Sequence, residues 1–296
     1  MGTIFFAIAI GYLANKLGFL GGETDKKLTG LLLQLLMPLM IVSVVLTNDD
    51  LPGAAQVLSI LLVSGVYYGL SYLCALVFPR LFRVPLDQRG VHRFVLVFTN
   101  VGFIGYPVTV ALFGESALFY AVILALPFNL LCYTTGPLLL SGGGGRSFAW
   151  KSLVNPCTLA AVFGVVAALT GLRLPAYIVE PIAFVGEMSI PFALVLLGSI
   201  LAAQPIKNLL GTRWVWLLTT LRLAVMPVLL LLVLRLLPVE EIVLKIAVVQ
   251  MAMPVAANGP LLALQYNSDP EGMAQVTFVS TVVSILSIPL VTALLL

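Results

Sequence analysis

The chain is 296 residues long, 61% hydrophobic and only 9% charged, with a mean hydropathy of +1.13 and a net charge of +3. Soluble domains carry about a quarter of their residues as charges, and no basic arm suggests nucleic acid, so these figures exclude a soluble enzyme and point to a polytopic membrane protein. The three cysteines, Cys74, Cys132 and Cys157, stand inside apolar runs without paired spacing and read as small buried residues, not as a disulfide or a metal site.

The first residues, MGTIFFAIAIGYLANK, lack the basic flank and cleavage site of a signal peptide, and Phe6 occupies the place where myristoylation wants Ser or Thr. They read as the first of ten apolar stretches of about 20 residues, the length that crosses the hydrocarbon. The stretches lie near 3–20, 28–47, 55–79, 91–113, 117–140, 154–171, 175–203, 212–236, 240–266 and 273–295. The first is the weakest, since it meets Asn15 and Lys16 before running its length; it is either short and tilted or lacks a few leading residues.

Basic residues set the orientation. With the N-terminus outside, the inner loops hold eleven (Lys16, Lys26, Lys27, Arg80, Arg83, Arg89, Arg93, Arg146, Lys151, Lys207 and Arg213), against Arg173, Arg235 and Lys245 outside. This asymmetry predicts both termini outside the cell membrane and the central loop in the cytoplasm. The outer connections, NDDLPG at 48–53, GES at 114–116 and the Glu240–Glu241 pair, are acidic or neutral.

Two spans are broken by sequence. FTNVGFIGYP, 98–107, and MPVAANGP, 253–260, place Asn, Gly and Pro at membrane depth, where unpaired backbone survives only against protein or a water-filled cavity. The polar segment 141–152 divides the chain into residues 1–140 and 153–296, five spans each, and the intervals Gly18 to Pro38 and Gly171 to Pro191 match. Five being odd, a repeated unit must turn over in the membrane, which predicts two inverted repeats.

At these residues the chain resembles the auxin efflux carrier family of membrane transporters. The resemblance runs through GYLANKLGFL, LLMPLMI, TNVGFIGYPVTVALFG, SLVNPCTLAAVFG, SIPFALVLLGSIL, LRLAVMP, MAMPVAANGPLLALQYNSD and STVVSILSIPL in that order. It implies an all-α fold of ten transmembrane helices, similar to bile-acid symporters and sodium/proton antiporters. Spans 1, 2, 6 and 7 would form a scaffold, and spans 3–5 and 8–10 a transport domain in which the fourth and ninth cross at their breaks. It further implies an organic-anion substrate such as malate, malonate or an auxin, and a homodimer formed through the scaffold. The family's crossing Asn and Pro fall on Asn100, Pro107, Pro254, Asn258 and Pro260. The central loop is shorter than that of many plant members, and the N-terminus is shorter than the family pattern.

The residues agree with an anion site. Half-helices that restart at a break present N–H groups and the positive end of a dipole, so a carboxylate can be held without a full countercharge. The candidate site is Asn100, Gly105, Pro107, Pro254, Asn258, Gly259 and Pro260, with the asparagines contacting substrate or capping the broken ends. Arg222, a lone mid-span cation, binds the substrate carboxylate or instead an acid or freed carbonyls beside Pro227. Glu187, four residues before Pro191, aligns with Gln34 before Pro38 and is the candidate for coupling to a proton or sodium. His92, beside Arg89 and Arg93, reads as a solvated interface residue, and Asp49 and Asp50 as an outer turn.

No nucleophile–base pair, phosphate loop or metal cluster is apparent, so no enzyme, cofactor or metal is expected. The reading is a secondary active transporter working by alternating access, with a channel or a non-transporting sensor as rivals.

Overall fold

A computed structural model describes residues 2–47, 53–141, 156–172, 174–203, 211–266 and 268–295. The central linker, Asp49, Asp50, Arg146, Lys151, Arg173 and Lys207 lie outside the described residues. Thirteen helices are described: α1 Gly2–Lys16, α2 Gly22–Thr47, α3 Ala54–Leu81, α4 Arg89–Val97, α5 Val101–Phe113, α6 Ala117–Leu124, α7 Leu126–Leu140, α8 Pro156–Thr170, α9 Ala176–Ala202, α10 Arg213–Leu234, α11 Glu241–Met251, α12 Gly259–Gln265 and α13 Pro270–Leu295. Five of these, α2, α3, α9, α10 and α13, are long and apolar enough to cross a membrane; α5 and α8 are shorter apolar helices. Helix α2 starts at Gly22, well before the expected 28, because the charged GETDKK turn is itself helical.

Proline shapes the long helices through a widened turn. Residues Leu32–Leu36, Val101–Gly105 and Leu221–Val225 form π-helical turns, and Pro38, Pro107 and Pro227 each follow by two residues. A proline ring clashes with the carbonyl four residues back and supplies no N–H; moving the local pairing to five residues relieves both. The N–H of Met37 accordingly bonds Leu32 O, and that of Met226 bonds Leu221 O. In α9 the same interval from a glycine ends differently: a turn at Met188 precedes Pro191. Gly18 and Gly171, which begin the two matched intervals, both close a helix with positive φ, 82° and 65°.

The chain divides into two compact units. Unit 1 comprises Met1–Leu61, Gly102–Leu126 and Val154–Gln204. Its helices meet at glycines, where backbones come within contact: Gly11 lies on Val195, Gly198 on the Ile8 carbonyl, and Gly186 on Leu39 and Met40. Any Cβ at these three positions would overlap backbone atoms, the small-residue packing of helices in lipid. Leu32, Leu36, Met37, Ala193 and Leu196 form a buried core between α2 and α9. At one end of this unit Asp25, 8% exposed, accepts hydrogen bonds from Ser199 Oγ at 2.7 Å and from the Gly21 N–H at 2.9 Å. Asn15 Nδ2 donates to Ser199 Oγ at 3.0 Å, and Lys16 donates to the Ala202 carbonyl at the end of α9, where a cation suits the helix dipole.

Unit 2 comprises Leu62–Val101, Pro127–Leu153 and Pro205–Leu296. It holds α4, α7 and α10 to α13, packed around an aromatic seam in which Phe94 meets Phe98 at 4.8 Å and Phe98 meets Phe128 at 5.9 Å. Gly136 and Gly259 both abut the Phe94 ring, so neither position has room for a larger side chain without shifting it.

Candidate functional site

Both sequence breaks are breaks in the structure, and they meet within unit 2. Helix α4 ends at Val97 and the chain turns extended at Phe98 (φ −107°, ψ 114°); α11 ends at Met251, and α12 starts only at Gly259. Between these ends Thr99 and Val255 form an isolated antiparallel bridge. The Asn100 N–H donates to Pro254 O at 2.8 Å and the Ala256 N–H to Phe98 O at 3.1 Å. Pro254 serves here only as an acceptor, so its missing N–H costs nothing. The Val255 N–H is taken by Ser280 Oγ of α13 at 3.3 Å. Backbone that has left the helical ladder is thus paired again, as a low-dielectric interior requires.

Arg222 sits behind this bridge. It is fully buried and donates from Nη2 to Met251 O at 2.8 Å, from Nη1 to Leu96 O at 2.9 Å and from Nε to Met253 O at 3.3 Å. Leu96 and Met251 belong to the last turns of α4 and α11, whose carbonyls have no helical partner and carry the negative end of each dipole. One planar cation therefore satisfies the ends of both interrupted helices at once, a task suited to the forked guanidinium. Among the described residues no carboxylate pairs with it. The carbonyls it holds are those at the breaks rather than those beside Pro227. Tyr67, also fully buried, continues the network: its hydroxyl lies 3.0 Å from Thr99 Oγ1 and donates to Gln250 O at 3.3 Å.

Of the remaining sequence candidates, Asn100 is 4% exposed and Asn258 partly exposed. Asn258 occupies the N-cap position of α12, yet its side chain does not cap; Nδ2 instead donates to Cys132 Sγ of α7 at 3.6 Å. Gly259 fits between Met273 and Phe94, and Pro260 opens α12 at a position that needs no N–H. Gly105 and Pro107 fall in unit 1, apart in the chain's division from Asn100. Pro107 there lines a narrow gap with Met37, Tyr106 and Ser189, whose fully buried hydroxyl makes no hydrogen bond. Glu187 and Gln34 are both exposed on unit 1.

Two features run against the sequence reading. His92 is not solvated: it is 4% exposed, packs edge-on against Trp214 at 5.6 Å, and lines a cavity of about 250 Å³ with Gln88, Thr212, Asp269 and Gln275. The arginines on either side of it in sequence hid a helix face that turns inward. Asp25, unremarked among the lysines of its turn, is a buried acid of unit 1. The only signal for it was the Gly-Gly pair before it, which frees a backbone N–H for its carboxylate to accept.

Relatives cover nearly the whole chain. An "Uncharacterized transporter" of Methanothermobacter thermautotrophicus is 26% identical over 293 residues, 97% of this chain and 95% of its own length. One of Methanocaldococcus jannaschii is 23% identical over 97% of this chain and 95% of its own. A Rhizobium meliloti protein described as a "Putative malonate transporter" is 25% identical over 96% of this chain and 91% of its own. The family model described as "Membrane transport protein" matches residues 1–147 and 145–292. Matched by this model over nearly its whole length, the chain belongs to the auxin efflux carrier family of membrane transporters.

Proposed function

We propose that the protein is a secondary transporter of a small carboxylate, recognised where segments 98–100 and 254–258 meet. The observation that carries this reading is the Thr99–Val255 bridge, which sets Asn100 and Asn258 beside backbone outside the helical ladder. The Asn258 side chain makes no capping bond to α12, and an amide can exchange water for a carboxylate oxygen at little cost. Arg222 acts behind the site as the frame that holds both helix ends, not as the substrate's own countercharge. The description of the Rhizobium meliloti relative makes malonate the first substrate to try.

Alternating access needs two bodies. Unit 1 groups α1, α2, α8 and α9, the expected scaffold, but also takes in α5 and α6; the grouping of α10 to α13 in unit 2 supports a role for that unit as the carrier of substrate. The packing of α1 with α9 and of α2 with α8 is what two inverted five-helix repeats would produce, and the two matched segments of the family model support the same duplication. Basic residues favour both termini outside and the linker in the cytoplasm of a cell-membrane protein. A homodimer would form through the exposed apolar surface of unit 1.

The test is uptake of radiolabelled mono- and dicarboxylates into proteoliposomes under imposed proton, sodium and voltage gradients. Saturable uptake of one acid is expected, reduced about tenfold or more in Asn258→Ala by loss of a hydrogen bond to a charged group. Uptake that never saturates identifies a channel; binding without uptake identifies a sensor.

A further inference from the structure

The arrangement around Arg222 has the composition of a cation site. Leu96 O, Met251 O and Met253 O converge within 2.8–3.3 Å of one guanidinium. Two of the three carbonyls belong to the last turns of interrupted helices, whose ends each carry up to about half a negative charge spread over that turn. Transporters with broken helices use such half-helix ends and unwound carbonyls to coordinate a sodium ion. Here the converging carbonyls are filled from within the chain: Arg222 is fully buried, and among the described residues no carboxylate pairs with it.

We propose that Arg222 is a tethered cation occupying a carbonyl-lined monovalent-cation site, so that the meeting point of the two breaks takes no ion from solution. The site's ligand class is a planar or compact monocation. Removing the side chain unmasks it for a free guanidinium-type ion. The positive charge is required because the Thr99–Val255 bridge and the Tyr67 and Ser280 hydroxyls join the two ends without offsetting the like-signed dipoles that meet there. A packing role for the Arg222 stem would be met by any side chain of similar length, whereas a charge role would not. This inference stands apart from the choice of substrate, since it concerns the frame and not the carried anion.

Thermal unfolding of the purified full-length chain in detergent tests it without any transport assay. Wild type is expected to melt at the same temperature in sodium, potassium and choline chloride. Arg222→Ala is expected to melt well below wild type and to be restored saturably by about 10 mM guanidinium or methylguanidinium, as a ligand that binds only the folded state requires. Choline, too bulky for the site, is expected to restore nothing. Should Arg222→Ala fail to fold, Arg222→Lys and Arg222→Met decide the matter: they match in length and differ in charge, and the lysine variant is expected to melt higher. A saturable sodium-dependent rise in wild type would overturn the proposal. So would equal melting of the lysine and methionine variants, or a guanidinium effect of the same size in wild type and Arg222→Ala.

Discussion

Units 1 and 2 bring helices together by opposite means. In unit 1 the ladders are nearly continuous, and close approach is obtained by removing side chains, with Gly11, Gly186 and Gly198 letting backbone lie on backbone. In unit 2 the ladders of α4 and α11 are cut, and what joins the cut ends is added: a guanidinium, a bridge of two backbone hydrogen bonds, and the hydroxyls of Tyr67, Thr99 and Ser280. Continuous helices need only shape to pack in lipid, where apolar burial offers little drive between them. Interrupted ones must account for each freed N–H and C=O, so polar side chains concentrate where the fold is broken.

The comparison predicts which unit each substitution opens, and hydrogen exchange resolved by peptide, together with thermal unfolding, reads the answer. The largest effect belongs to Arg222→Ala, which strands three buried carbonyls; it is expected to destabilise by about 3 kcal/mol or more, with exchange rising at 94–98 and 248–256 and little change in α1 or α9. Next comes Gly198→Val, whose branched side chain has no room over Ile8; about 2 kcal/mol or more is expected, with exchange rising in α1 and the second half of α9 while unit 2 keeps its protection. Asp25→Ala leaves the Gly21 N–H without its acceptor and Ser199 without its carboxylate, a loss of about 2 kcal/mol confined to unit 1. Tyr67→Phe is the mildest, about 1 kcal/mol in unit 2, because the Thr99 hydroxyl loses one partner while the bridge survives. If Arg222→Ala loosened unit 1 as much as unit 2, the distinction between packing by removal and joining by addition would fail.

Much of this was legible in the sequence because lipid imposes strong rules. Hydropathy marked apolar helices, five of which among the described residues are long enough to cross a membrane, and Asn, Gly and Pro inside apolar runs located both interruptions. Arg222 stood out as an anomaly for the same reason. Its partners did not, because they are backbone carbonyls, which every residue carries and no alphabet displays. His92 and Asp25 escaped for a different reason: each is flanked by basic residues, and composition over a short window cannot tell an exposed helix face from the buried one beside it. The prolines announced a disturbance in α2 and α10 without saying that a widened turn would absorb it and leave the helix running on. The division into units was least visible, since each unit gathers three separate stretches of chain.

The bridge between Thr99 and Val255 also sets a timetable. Synthesis at roughly 5–20 residues per second delivers the first break to the membrane on the order of ten seconds before the second exists, and before Arg222 has been made. During that interval the carbonyl of Leu96 and the N–H of Asn100 have none of their eventual partners. Partners such as Tyr67 and Gln250, 183 residues apart, can meet only when the chain is nearly complete. Leu96 O and the Asn100 N–H stand four residues apart, so until the second half arrives they can pair with each other in a longer helix, which the second break then has to open. Co-expression of separate halves, cut in the central linker, should then rescue one another, since neither can form the bridge alone.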